Sequence, residues 1–251
     1  MSIIQLLPHD VRRALFAIVR RSEFSRMQDM RKNSRGEYSF KPFDDTKTIF
    51  VHIPKAAGVS VCKSLYGNLA GEHSSINYYQ YVFSKNDFSR YFKFTFVRNP
   101  WDRLYSAYTF LKKGGFNKQD EKWAIENLSR FTSFEQFVME WVVAENIHKY
   151  IHFVPQTELL IFPGTNTVAV DFVGFFENLE NDFDYVAKKI NKNISLPHLN
   201  KTDNKLLGYV QKYNSIMIDV VEKVYKADID TFGYSFDNST LVQQLARRSR
   251  E

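Results

Sequence analysis

Lys55 lies in the stretch KTIFVHIPKAAGVSV, Lys47 to Val61, after an apolar run and a proline and before a string of small residues. That arrangement suits anion binding. A buried strand that ends in a tight turn and runs into a helix aims backbone N–H groups and the positive end of the helix dipole at one point. Ala56, Ala57 and Gly58 leave the backbone bare, while Lys55 adds a mobile charge and Ser60 a hydroxyl. The nucleoside triphosphatase signature G-x-x-x-x-G-K-[ST] is absent, because here the lysine precedes the glycine. In a second stretch, YFKFTFVRNPWDRLYSAY (Tyr91 to Tyr108), Arg98 ends an alternating run. Ser106 follows on a helical pattern, off the stripe of Trp101, Leu104, Tyr105 and Tyr108. Ligands of parallel sheets gather at the carboxyl ends of strands, where Lys55 and Arg98 both fall. The competing readings are an Arg98–Asp102 ion pair and an idle hydroxyl at Ser106.

Histidine is the natural proton acceptor near neutral pH, and the chain has six. His52 falls inside the first apolar run and reads as a sheet residue. His148 and His152 share helical i, i+4 spacing, but without the glutamate of H-E-x-x-H no zinc site is expected. His152 is a candidate substrate contact. His198, with Lys201 in the LPHLNKT segment, is a candidate to close over nucleotide or acceptor. His73 occupies a polar stretch between the first helical pattern and the second strand pattern.

The elements that must position these residues alternate. Thr48 to Ile53 is a nearly continuous apolar run, the pattern of a parallel strand covered on both faces. Val61, Cys62, Leu65, Tyr66 and Leu69 follow at helical spacing. Tyr91 to Val97 has strand spacing, and a helix opens after Pro100. Thr167 to Phe175 reads as a third strand, with Asn178 as the cap of a helix carrying Leu179, Phe183, Val186 and Ile190. Further helical patterns occupy Phe134 to Ile147 and Leu206 to Tyr225. The expected fold is α/β: a single domain with a P-loop-like central parallel sheet flanked by helices.

Residues 1–44 differ. Asp10 is a plausible cap for a basic amphipathic helix with Val11, Ala14, Leu15, Ile18 and Val19 on its apolar stripe and Arg12, Arg13 and Arg20 off it. Packing of the stripe on the domain or on a second subunit is the expected use, and peripheral contact with a membrane surface is the alternative. Asn33 to Asp45 reads as a linker, 45–236 as the main domain and 237–251 as a basic tail. At 251 residues and 44% hydrophobic, the chain can build a substantial core. Its one cysteine, Cys62, allows no intramolecular disulfide and fits a reducing compartment. No apolar run reaches the roughly 20 residues of a membrane span, and a cytoplasmic location is the default expectation. Net charge +6 favours an anionic partner.

IPKAAGVSV and FVRNPWDRLYSAY resemble the two nucleotide-binding signatures of the sulfotransferases that use 3′-phosphoadenosine 5′-phosphosulfate (PAPS). The likeness is to the carbohydrate branch, similar to heparan 6-O and chondroitin 4-O sulfotransferases. It continues through HFVPQTEL, DFVGFFENLENDF, LPHLNKT and DIDTFGY, and so covers roughly Thr46 to Phe236. The resemblance implies that Lys55, Ala56, Ala57, Gly58, Val59 and Ser60 hold the 5′-phosphosulfate, and that Arg98 and Ser106 hold the 3′-phosphate. It also implies a base in GEHSSINYYQYV, at His73, with His152 as the rival. One departure stands out: relatives often have Thr-Gly-Gly-Thr-Ser after the lysine, so Val59 here lacks a hydroxyl.

With PAPS as donor and adenosine 3′,5′-bisphosphate as product, sulfuryl transfer resembles phosphoryl transfer, in line and governed by positioning and charge. Lys55 would stabilise the leaving oxygen and a histidine would take the acceptor's proton; no metal is required. A glycan or glycolipid acceptor follows from the family branch alone. Two other classes compete. A kinase or nucleoside triphosphatase lacks its lysine in the usual place and a magnesium-binding Ser/Thr directly after it. A non-catalytic nucleic-acid binder would need exposed aromatics among clustered cations, whereas most aromatics here follow core periodicity.

Overall fold

The two apolar runs that end just before the Lys55 loop and at Arg98 are strands of one parallel sheet. The structure, a computed structural model, describes residues 7–33, 35–196 and 208–248. In chain order its elements are α1 (His9–Val19), α2 (Arg21–Lys32), α3 (Lys41–Thr46), β1 (Thr48–Val51), α4 (Gly58–Tyr66), α5 (Ile76–Val82), α6 (Lys85–Arg90) and β2 (Phe92–Val97). They continue with α7 (Pro100–Lys112), α8 (Lys118–Leu128), α9 (Phe134–Trp141), α10 (Gln156–Leu160), β3 (Phe172–Phe175), α11 (Leu179–Lys189), α12 (Ser215–Val224), α13 (Lys226–Phe232) and α14 (Leu241–Arg248). Contacts gather these into two compact units.

The first unit holds the residues up to Ile53, Ala57–Val97 and the segment that begins at Gln156. Its three strands run parallel in the order β1-β2-β3, with Phe50 opposite Phe94 and Phe96 opposite Gly174. The α/β expectation therefore holds. Both faces of β2 are covered, although its sequence alternates. Thr95 donates from Oγ1 to the Val51 carbonyl at 2.8 Å, and Lys93 bends its ammonium to the Tyr91 carbonyl at 2.8 Å and the Asp171 carboxylate at 3.0 Å. Buried polar groups survive in a strand only when satisfied in this way. The third strand is shorter than expected: the chain before it makes one antiparallel bridge, Ile161 with Val168, and pairs with β2 only from Phe172.

Several expectations at the N-terminus are corrected. Pro8, not Asp10, precedes the first helix, so Asp10 sits within its first turn. The face of α1 turned inward is not the apolar stripe: Arg12 is buried, donating to Asn77 Oδ1 at 3.2 Å and to Gln80 Oε1, and Phe16 stacks on Tyr81. The apolar stripe points outward, with Ile18 and Val19 each 75% exposed. The expected linker contains α3, whose Phe43 is fully buried beside Phe83 and Tyr79. Asn178 precedes α11 but caps nothing with its oxygen; its amide donates to Asp182 at 2.7 Å.

The second unit holds Pro54–Ala56, Arg98–Pro155 and the C-terminal segment, and among its described residues the regular elements are helical. Asn99 starts α7, its side chain accepting the Trp101 N–H at 3.1 Å, with Pro100 in the first turn where no N–H is needed. Phe137 anchors a core with Phe131, Trp141 and Phe153. The helix expected over Phe134 to Ile147 stops at Trp141, because the Val143 N–H and the Asn146 side chain both take the Trp141 carbonyl, each at 2.9 Å. The segment read as a tail forms α14, whose buried Gln244 donates to the Phe232 carbonyl at 2.8 Å. Among the described residues no helix is long and apolar enough to cross a membrane.

Candidate active site

β1 ends at Val51, and the chain then turns through two left-handed residues that are not glycine, Lys55 (φ 70°) and Ala57 (φ 65°). Each such conformation costs on the order of 1 kcal/mol. The turn delivers the chain into α4, whose first residue is Gly58 and whose N-terminus has no side-chain cap. Val59 is exposed and Ser60 half-buried in the first turn.

In the first unit this helix start is built around two histidines. A Cβ on Gly58 would stand 1.9 Å from Cδ2 of His52, so no larger residue fits against that ring. His52 lies just past the end of β1 rather than within it, which corrects its reading as a sheet residue. Its ring stands 4.3 Å from that of His73, centroid to centroid, and the His73 Nδ1 lies 3.1 Å from the His52 carbonyl oxygen. A carbonyl only accepts. The neutral His73 ring therefore carries its proton on Nδ1 and its lone pair on Nε2, the form a general base needs. The side chain is half-buried.

In the second unit Lys55 and Arg98 are joined. Arg98 donates from Nη1 to the Lys55 carbonyl at 2.9 Å and from Nε to Asp102 Oδ2 at 2.8 Å, so the ion pair of the competing reading exists and the arginine also holds the loop. Burial raises the Asp102 carboxyl above the usual range in spite of Arg98. The Lys55 ammonium sits 3.7 Å from the centroid of the Phe110 ring, a cation–π contact. Burial, then the nearby Arg98 charge, push its pKa down to about 8, with Asp120 opposing them. Ser106 is half-buried on α7.

His152 is buried in the same unit, its ring 5.2 Å from that of Phe110 and its Nε2 3.4 Å from Asp120 Oδ1. Arg103, only 2% exposed, donates to the His152 carbonyl at 3.2 Å. His148 is exposed on a short turn, Ile147–Lys149, so the two histidines do not share a helix as their spacing suggested. His198 lies outside the described residues. Phe110, Asp120 and Tyr150 escaped the sequence reading. A signal for Asp120 was present: Gly114-Gly115 followed by Asn117 marks a turn into a helix, and Asn117 Oδ1 indeed accepts the Asp120 N–H at 2.9 Å.

A model of the Sulfotransferase family matches residues 38–235. The chain belongs to this family of transferases, whose chemistry is sulfuryl transfer. An uncharacterized protein of Archaeoglobus fulgidus is 33% identical over 106 residues, which span 42% of this chain and 72% of that relative. No solved structure gives a significant match.

Proposed function

We propose that the protein moves the sulfuryl group of PAPS to a hydroxyl of a carbohydrate acceptor, a glycan or glycolipid. The observation that carries this reading is the Arg98–Lys55 hydrogen bond, which ties together a cation for the 3′-phosphate and a cation for the phosphosulfate. Lys55 and the residues through Ser60 receive the 5′-phosphosulfate, with uncapped N–H groups of α4 as donors. Arg98 and Ser106 take the 3′-phosphate. Lys55 neutralises the bridging oxygen as it leaves, an interaction stronger in the transition state than in the ground state. His73 removes the acceptor's proton through Nε2. The reaction needs positioning and charge and no metal. The carbohydrate acceptor rests on the resemblance of the two signatures.

The test has two stages. Thermal shift with adenosine 3′,5′-bisphosphate, ATP with magnesium, and a single-stranded oligonucleotide separates the three ligand classes. Only the first should stabilise strongly; stabilisation by ATP alone would overturn the reading in favour of phosphoryl transfer. Incubation with sulfur-labelled PAPS and a cell extract then identifies the labelled acceptor, and a protein or small metabolite in place of a glycan would overturn that part.

A further inference from the structure

Asp120 is a buried carboxylate in the first turn of α8 whose hydrogen-bond partners carry no fixed charge. Its Oδ2 accepts the Phe116 N–H at 2.8 Å, its Oδ1 accepts the Tyr150 hydroxyl, and the same Oδ1 faces His152 Nε2 at 3.4 Å. The turn before it is shaped to fit: Gly115 has φ 71°, and a Cβ there would lie 2.2 Å from the Asp120 Cβ. Burying a carboxylate is costly, and donors of this kind keep it ionised; accordingly its pKa is lowered in spite of burial. His152 and Lys55 lie against the same ring, Phe110, so the Asp120–His152 pair and the lysine belong to one cluster. Among the described residues of this unit, the charged and titratable groups that bear on Lys55 are Arg98 with its partner Asp102, His152 across Phe110, and Asp120 with Tyr150.

We infer that Asp120 is a positioning residue for the transfer reaction: its carboxylate fixes His152 with the proton on Nε2 and supplies the negative charge that keeps Lys55 cationic while no donor is bound. A carboxylate only accepts, so the neutral His152 must present N–H to it. The negative charge counters Arg98, which otherwise favours loss of the lysine's proton. When PAPS arrives, the lysine is already charged and seated on Phe110, so less reorganisation falls in the chemical step. This assignment rests on the proposed function only for its consequence in turnover; the electrostatic part is separate.

The experiment uses the full chain with Asp120→Asn, which keeps shape and loses charge, and Asp120→Glu, which keeps charge. The pH dependence of trace acetylation at Lys55, read by peptide mass spectrometry, gives the lysine's titration midpoint without any turnover. Asp120→Asn should lower that midpoint by roughly one unit, while Asp120→Glu stays near the parent. In the transfer assay at about pH 7, Asp120→Asn should lose about tenfold or more in kcat with adenosine 3′,5′-bisphosphate affinity kept within about threefold. If Asp120→Asn does not fold, Asp120→Ser, which can still accept the Phe116 N–H, gives the same readout. An unmoved Lys55 midpoint overturns the inference, and so does a moved midpoint with unchanged kcat. A moved midpoint in a protein that transfers no sulfuryl group supports the electrostatic assignment and overturns the proposed function instead.

Discussion

Arg98 Nη1 donates to the backbone carbonyl of Lys55 at 2.9 Å while Arg98 Nε holds the buried Asp102 at 2.8 Å. One guanidinium thus anchors the loop through Lys55 and neutralises a carboxylate of α7. Two losses should follow from Arg98→Ala. Adenosine 3′,5′-bisphosphate should weaken far more than adenosine 5′-phosphate in calorimetry, because a charge-assisted pair with the 3′-phosphate is gone. Stability should also drop, by about 3 kcal/mol in urea unfolding, because Asp102 is left buried without its partner. Arg98→Lys cannot span both acceptors with a planar fork and should restore neither fully. Equal weakening of both nucleotides would remove the 3′-phosphate assignment.

Lys55 makes nucleotide binding pH-dependent. Its pKa in the ligand-free protein is about 8, below the ordinary 10.5, through burial first and Arg98 second. An anionic ligand favours the charged form and raises the value again. Binding therefore takes up a proton once the pH exceeds about 8, and affinity falls as pH rises through that point, by roughly tenfold between about pH 7 and pH 9 if only the charged lysine binds. Stability without ligand has the opposite slope. Between about 8 and 10.5 the unfolded chain holds more protons at this residue than the folded one, so the Lys55 contribution rises with pH. Calorimetry of adenosine 3′,5′-bisphosphate in buffers of different ionisation enthalpy should report proton uptake near pH 8.5, and Lys55→Met should abolish it. No uptake in the parent protein would show that Lys55 does not meet the nucleotide.

The apolar runs, the helix start at Pro100 and the α/β alternation were legible because local pattern determines them. β1 needs only contiguous apolar residues, β2 only alternation, and the helix start only a proline in the first turn, where no N–H is needed. What failed depended on which face meets a partner. The α1 stripe obeyed helical periodicity, yet Arg12 found acceptors in Asn77 and Gln80, and the face that carries it turned inward. In the candidate site the same division holds. Lys55 and Arg98 were visible as cations at strand ends, whereas Phe110 and Asp120 gain their meaning from contacts with Lys55 and His152 far away in sequence. His52 was misread because its ring, and not its strand pattern, decides its role against Gly58 and His73.

Gly58 follows from that geometry. A methyl group there would overlap the His52 ring, with Cβ 1.9 Å from Cδ2, and that ring packs against His73 and Phe50. Gly58→Ala should cost about 1–3 kcal/mol of stability, the range for overpacking. It should also lower kcat more than it weakens nucleotide binding. If turnover and stability both stayed at the parent's level, the His52 ring would not be fixed by this contact.

The proton acceptor can be settled by two variants. His73 is half-buried, and its Nδ1 proton is committed to the His52 carbonyl at 3.1 Å, which leaves Nε2 with the lone pair. His152 is buried, faces Asp120 through Nε2, and has its own carbonyl held by Arg103. A group that must meet an incoming hydroxyl cannot be sealed away, so exposure favours His73. His73→Ala should lose about a hundredfold or more in kcat with adenosine 3′,5′-bisphosphate affinity nearly unchanged. The acidic limb of the pH–rate profile should disappear with it, since that limb reports the base losing its lone pair as pH falls. His152→Ala should instead reduce kcat by a smaller factor, keep the acidic limb, and lower thermal stability, because it opens a cavity beside Phe110 and removes a partner of Asp120. The opposite pattern, near-normal turnover in His73→Ala with the acidic limb lost in His152→Ala, would make His152 the base.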